Sequence, residues 1–298
     1  MRPRDAVDLV LLAALWGASF LFMRVAAPQF GPVPMMAVRT GIGALVLLPL
    51  LLWKGGGGAL HDNAGRLLAV GALNSAIPFT LLAWSTLSLS AGFTSLLNAT
   101  VPLWGALVAF AWLRERPAGS QLLGLAVGVI GVTLLVRGRV SFVPGGDGFA
   151  ILASLAATLS YGVAASFTRR YLSGVDPLVN ATGSQIGATA LLALPAVLLW
   201  PDPWPDARAW AATVTLGVAC TGVAYVLYFR LIANTGPARA MTVTFLVPVF
   251  AILWGGLFLG EPLTSNMLAG GAVILVGTAL SVGLLRPRRE RVATPGTR

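Results

Sequence analysis

Residues 91–136 return 146 positions later as residues 237–282, and this repetition limits the possible folds more than any other feature of the chain. At that offset Pro102 falls on Pro248, Leu107 on Leu253, Leu113 on Leu259, Glu115 on Glu261, Gly124 on Gly270 and Gly131 on Gly277. Each copy reads as an apolar helix interrupted by proline, a tight acidic turn and a glycine-rich apolar helix. Apolar composition alone does not keep a proline, an acid and two glycines in register over such a length. The register continues upstream, with Pro49 on Pro195, Gly71 on Gly217 and Leu81 on Leu227. Earlier still the offset is 145, placing Gly17 on Gly162, Phe22 on Phe167 and Arg24 on Arg169. The chain is a duplicated unit.

The solvent for that unit follows from charge. Charged residues make up only 10% of 298, and hydrophobic residues 57%, whereas soluble domains carry about 25% charged residues. A bilayer core of roughly 30 Å needs about 20 apolar residues per helix. Ten such segments are expected, near 6–26, 33–53, 65–87, 91–113, 119–137, 148–168, 177–199, 208–232, 237–259 and 264–285. The first follows Arg2 and Arg4 as a signal peptide would, but it has no A-x-A cleavage site and is expected to be retained. No connection is long enough for a soluble catalytic domain. Lys54–Gly58 reads as a flexible linker and Trp200–Pro205 as an interfacial turn.

The net charge of +10 raises nucleic acid as a partner, but its placement argues against one. Five arginines (Arg286, Arg288, Arg289, Arg291, Arg298) lie in a short tail after the last apolar run. Basic clusters beside spans follow from topology and anionic headgroups. With the N-terminus inside, the inner loops and tail hold fourteen basic residues against four outside, which orients the chain N-in and C-in. An odd number of helices per copy then inverts the second copy relative to the first. Inverted repeats build two-sided access around a midplane site in many secondary transporters.

The expected architecture is therefore all-α and integral to the membrane: ten transmembrane helices as two inverted five-helix repeats, over 1–140 and 141–286, with a basic cytoplasmic tail at 287–298. All ten carboxylates are expected in loops or at helix ends, which disfavours a proton-coupled carrier. Glu115 and Glu261 are expected to be helix-end structure. Cys220 and His61 are each the only residue of their type, so no disulfide, metal or cofactor site is expected.

Arg39 is the cation clearly inside a span. It either holds an anionic substrate group or bonds helix carbonyls and snorkels. Arg230, at a helix end, is expected to snorkel. Polar and aromatic side chains recur at matched positions of both copies: Thr94, Asn98 and Pro102 against Ala240, Thr244 and Pro248; Ser75, Phe79 and Leu82 against Thr221, Tyr225 and Tyr228; Trp16 against Tyr161. Buried hydroxyls and amides need partners, so these faces point to the bundle interior, where they either touch a substrate or pack helices. Pro102 and Pro248 serve as hinges or as fixed bends. Gly124–Gly128 and Gly183–Gly187 fit small-xxx-small packing within the bundle or in a dimer.

On these features the chain resembles the drug/metabolite transporter superfamily, specifically its ten-helix EamA-type exporters. The likeness rests on the tandem repeat, on LLAALWGASFLFMRVA with Trp16-Gly17, on Arg39, and on the hairpin from Pro248 to Gly260-Glu261-Pro262. The first copy departs from it with Arg114-Glu115-Arg116-Pro117. The resemblance implies a central cavity between inverted halves and small metabolites leaving the bacterial cytoplasm; the aromatic lining looks most like the YddG-type exporters of aromatic amino acids. A monomeric inner-membrane exporter is expected, with a small-molecule substrate and the lipid bilayer as partners and no enzyme activity. Trp16, Phe79, Tyr161, Tyr225 and Tyr228 would meet the cargo side chain, and Asn74, Asn98, Thr244 and Arg39 its polar groups. A cationic-drug antiporter and a membrane enzyme or lipid-handling scaffold are the alternatives.

Overall fold

A computed structural model describes residues 2–143 and 146–284; the basic tail at 287–298 lies outside the described residues. Every element in it is helical. Inside hydrocarbon each backbone N–H and C=O must be satisfied within the chain, which a helix does residue by residue. Eight helices are long and apolar enough to cross a membrane: α1 (Pro3–Phe30), α2 (Pro32–Trp53), α3 (Ala64–Ser85), α4 (Ala91–Leu113), α5 (Gly119–Val136), α6 (Gly148–Tyr171), α7 (Pro177–Leu198) and α8 (Ala207–Thr235). Two shorter apolar helices follow, α9 (Val243–Leu259) and α10 (Ser265–Ser281). The linker after α2 is more ordered than its glycines suggest, forming the short helix Gly57–Asp62.

Helix starts are set by familiar devices. Pro3, Pro32 and Pro177 open α1, α2 and α7, where a missing N–H costs nothing. Ser90, Asp176, Asp206 and Thr264 each accept a bond from an N–H in the first turn that follows. The two hairpin turns of the repeat end alike, in left-handed residues at corresponding positions. Gly260 has φ 65°, and Arg114 is forced to φ 56° where the second copy has glycine. The departure of the first copy from the Gly-Glu-Pro turn is thus a local backbone strain.

The helices pack in a pattern that is unchanged when the copies are exchanged. α1 lies against α9 and α6 against α4; α2 crosses α8 and α7 crosses α3; α2 meets α7 and α5 meets α10. Single residues repeat it. A Cβ on Gly17 would stand 2.9 Å from the backbone N of Ala251, and one on Gly162 would stand 2.9 Å from the carbonyl carbon of Trp104. Gly124 and Gly277 bring α5 and α10 into backbone contact, so the small-residue motif of α5 packs inside the bundle.

One expectation fails. Asp8 sits in the second turn of α1 at 8% exposure, and Asp5 precedes it at 3%. A single acid is averaged away in an apolar run, but here it has a partner 222 residues later. Arg230 on α8 donates from Nε to Asp8 Oδ2 at 2.7 Å and from Nη2 to Asp8 Oδ1. Asn234 one turn on donates to Asp5 Oδ1 at 3.0 Å. Arg230 is therefore an ion-pair residue between α1 and α8 rather than a free snorkelling one.

Candidate substrate cavity

Two turns of π-helix, Ala72–Ala76 in α3 and Val218–Val223 in α8, occupy corresponding positions of the two copies. A π turn inserts one residue into the helical register and re-aims the side chains beside it. It brings Asn74 and Thr221 onto the wall of a central cavity of about 610 Å³. That volume is in the range that takes a small organic molecule. The helix of the fourth segment is also interrupted, by a turn at Ala99–Thr100, so that Asn98 and Pro102 both reach the same wall. The second copy is also broken before α9, one turn earlier in the register, where the short helix Pro237–Ala240 turns at Met241–Thr242 and leaves Thr244 on the wall.

Every residue expected from the sequence to meet a substrate lines this one cavity: Trp16, Arg39, Asn74, Phe79, Asn98, Tyr161, Tyr225, Tyr228 and Thr244, with Pro102 and Pro248 beside them. Leu82 and Thr221 of the matched stripes line it too, whereas Thr94, Ser75 and Ala240 do not. Thr94 is fully buried and bonds Ser90 O, and Ser75 bonds Gln185. The aromatic rings meet in pairs across the helices. Trp16 and Tyr228 have centroids 5.3 Å apart, and Phe79 and Tyr161 6.5 Å apart. Arg39 is 5% exposed. Its guanidinium carbon stands 4.0 Å over the Phe79 ring, and its Nε donates to Thr221 Oγ1 at 3.1 Å.

The wall also contains residues that sequence patterning passes over: Ser19, Met23, Ser95, Asn180 and Arg169. An amide inside an apolar segment, as at Asn180, is the signal that would find one of them. The side-chain oxygens of Ser95, Asn98 and Asn180 are buried without a hydrogen-bond partner in the protein, which leaves them free to accept from a polar group of the cargo. Among the described residues no carboxylate lines the cavity.

The two ends differ. At one end the lining reaches exposed Arg169, Pro177 and Met241. At the other, Glu261 takes the backbone N–H of Ala91 with Oε1 at 3.0 Å and Oε2 at 2.9 Å, and Arg24 Nε stands 3.7 Å from Oε1. Arg24 also donates to Leu87 O at 2.9 Å and to Thr86 O. This cluster ties α1, the α9–α10 turn and the start of α4 together, and none of its members lines the cavity. Beside it Gln29 clasps Asp206 twice, donating to Oδ2 at 2.9 Å and accepting its N–H at 2.8 Å. The Gln29 amide, with the Ala209 N–H, holds the Asp206 carboxyl below its ordinary value.

The repeat that organises this cavity is matched as a unit. The model of the EamA-like transporter family matches twice, over residues 6–137 and 148–283. The chain belongs to the EamA-like transporter family. It is accordingly a multi-pass membrane protein of a family of transporters. Among relatives within reach of the family, a probable terminal-alkyne amino-acid exporter of Streptantibioticus cattleyicolor is 28% identical over 97% of both chains. The uncharacterized transporter YvbV of Bacillus subtilis is 23% identical over 99% of this chain and 96% of its own. A WAT1-related chloroplastic protein of Arabidopsis thaliana is 30% identical over 89% of this chain and 66% of its own. A solved crystal structure superposes with a TM-score of 0.65 over 96% of this chain and 99% of that one, at 21% identity. That likeness speaks for the fold.

Proposed function

We propose that this protein exports small metabolites across the bacterial inner membrane, amino acids with apolar or aromatic side chains first among them, by alternating access. In this reading α1–α5 and α6–α10 are the two inverted halves, spanning 1–140 and 141–286, with both termini in the cytoplasm. The exchange-symmetric packing, the double family match and the fourteen-to-four arginine and lysine asymmetry support it. The end of the cavity at Arg169 then faces the cytoplasm and the end tied by Arg24, Glu261 and Ala91 faces outward. That is an arrangement able to load cargo from inside.

The observation that carries the substrate class is the cavity wall. Trp16, Phe79, Tyr161, Tyr225 and Tyr228 offer ring faces to an apolar side chain, and Asn74, Asn98, Thr244 and Arg39 offer hydrogen bonds to its polar groups. The amino-acid exporter among the relatives is consistent with that wall. Uptake of labelled amino acids into proteoliposomes, with and without an imposed proton gradient, tests the proposal. Saturable flux that Asn98→Ala and Tyr228→Ala both reduce supports it. Full flux in both well-expressed variants overturns the site.

A proton-coupled multidrug exporter is the second reading, and Asp8 favours it by placing a carboxylate within α1. The pairing of Asp8 with Arg230, away from the cavity wall, weighs against it. Gradient-driven efflux of a cationic dye would establish that reading instead.

A further inference from the structure

The bundle builds one hydrogen-bonded bridge twice. Arg39 on α2 reaches Thr221 on α8 at 3.1 Å; 146 residues on, Gln185 on α7 reaches Ser75 on α3 at 3.0 Å. Both join the second helix of one copy to the π turn of the other copy. A neutral amide makes the bridge at 185, so the bridge does not require the positive charge at 39.

That charge is costly where it stands. A desolvated cation loses its hydration, and the loss is made good only where an anion and hydrogen bonds replace the water. Among the described residues no acid pairs with Arg39. Besides Thr221 its contacts are the Met36 sulfur at 4.0 Å, a weak acceptor, and the Phe79 ring. A guanidinium carries five N–H donors in a planar fork shaped for a carboxylate, and Arg39 leaves part of that fork unused in a wall of the cavity.

We propose that Arg39 is the anion subsite of the cavity, and that the transported class is amino acids and other organic acids carrying a free carboxylate, not amines, amides or cationic drugs. This rests on the transporter reading above and narrows it. The amino end of such a cargo finds no carboxylate on the wall among the described residues. The unpartnered oxygens of Asn98 and Ser95 are the acceptors offered to it. The charge asymmetry between Arg39 and Gln185 gives an otherwise two-fold site a single cationic pole, and so fixes which way round the cargo binds.

Matched ligands test the subsite without relying on transport. The full chain in detergent is melted with phenylalanine, 3-phenylpropionate, phenylalaninamide and phenethylamine, and affinities are read from the ligand-induced shifts. The two carboxylates are expected to stabilise the wild type, and the amide and amine to bind at least about tenfold more weakly. Arg39→Gln, which recreates the Gln185 bridge, is expected to keep the ligand-free melting temperature and lose the preference for acids. Arg39→Lys, should the glutamine variant not fold, keeps the preference at reduced affinity because its charge remains.

Equal binding of acid and amide by the wild type, a preserved preference in Arg39→Gln, or no binding by either carboxylate each overturns the subsite. Counterflow of labelled phenylalanine in proteoliposomes separates the two proposals. Arg39-dependent acid binding without phenylalanine flux removes the amino-acid exporter and keeps the subsite. Phenylalanine flux that the amide inhibits as well as the acid does the reverse.

Discussion

Glu261 grips the start of α4 through the backbone N–H of Ala91, with both carboxylate oxygens within 3.0 Å, while Arg24 stands beside it. The corresponding pair in the other copy, Arg169 and Glu115, is also made, bidentate at 2.6 and 2.9 Å. Among the described residues it has no third member. The residue that corresponds to Ala91 is Pro237, which has no N–H to give. The Glu261 cluster thus joins three elements and the Glu115 pair two.

This asymmetry predicts unequal costs for the same substitution. Glu261→Gln removes charge from a mostly buried acid bonded to a helix N-terminus and is expected to destabilise by about 1–2 kcal/mol. Glu115→Gln, in an ion pair that is largely exposed, is expected to cost less than about 1 kcal/mol. Apparent melting temperatures in detergent decide it. Equal shifts would mean that the Ala91 contact adds nothing.

A second contrast lies in the two hairpin turns. Arg114 occupies the left-handed conformation that Gly260 occupies in the other copy. A side chain there costs roughly 1–2 kcal/mol, less what glycine returns in unfolded-chain freedom. Arg114→Gly is expected to stabilise by about 0.5–1 kcal/mol, and Gly260→Ala to destabilise by a similar amount. Both are read from thermal melts, and a destabilised Arg114→Gly refutes the strain.

The pair between Asp8 and Arg230 predicts coupling without an effect on cargo. Arg230 is half exposed, so solvent screens the interaction, and a double-mutant cycle of Asp8→Asn with Arg230→Gln should give about 1 kcal/mol. Neither residue lines the cavity. The KM for transport is expected to be unchanged in both single variants. A change in KM that tracks external pH would instead make Asp8 part of the transport cycle.

What the sequence shows of this protein, and what it hides, divides on physical lines. The repeat is legible because Pro102 and Pro248, or Gly124 and Gly270, are residue types that helix bends and close packing demand and that substitution degrades. The cavity residues are legible because rings and amides inside apolar runs must face inward. Asp8 is hidden because one acid barely alters the hydropathy of its run and its partner lies on the eighth helix. The π turns at 72–76 and 218–223 leave no mark on residue type. The two bridges made by Arg39 and Gln185 exist only once α2 and α7 have each met the other copy's third helix.

The Gln29–Asp206 clasp predicts a pH dependence whose sign follows from its cause. Donation from the Gln29 amide lowers the Asp206 carboxyl in the folded protein below its ordinary value near 3.8. A carboxyl depressed by folding contributes stability that is present above the unfolded value and lost as pH falls through the folded one. The difference in melting temperature between wild type and Gln29→Ala should therefore be constant at neutral pH and shrink below about pH 4. A difference that grows on acidification contradicts the clasp.

Gly277 and Gly105 stand in opposite surroundings. A Cβ on Gly277 would come within 2.8 Å of the Gly124 carbonyl oxygen, so alanine there must push α5 and α10 apart. Backbone does not yield as a side-chain tip does, and forcing a methyl into such a contact costs typically about 1–3 kcal/mol. Gly105, in the middle of α4, has nothing within 4 Å of the same position. Alanine at 105 meets no obstacle and gains helix propensity, up to about 1 kcal/mol. Gly277→Ala should lower the melting temperature and Gly105→Ala leave it unchanged or raise it. Because both changes add the same methyl group to the same chain, a fall in both would mean that the methyl itself, and not the meeting of α5 with α10, sets the cost.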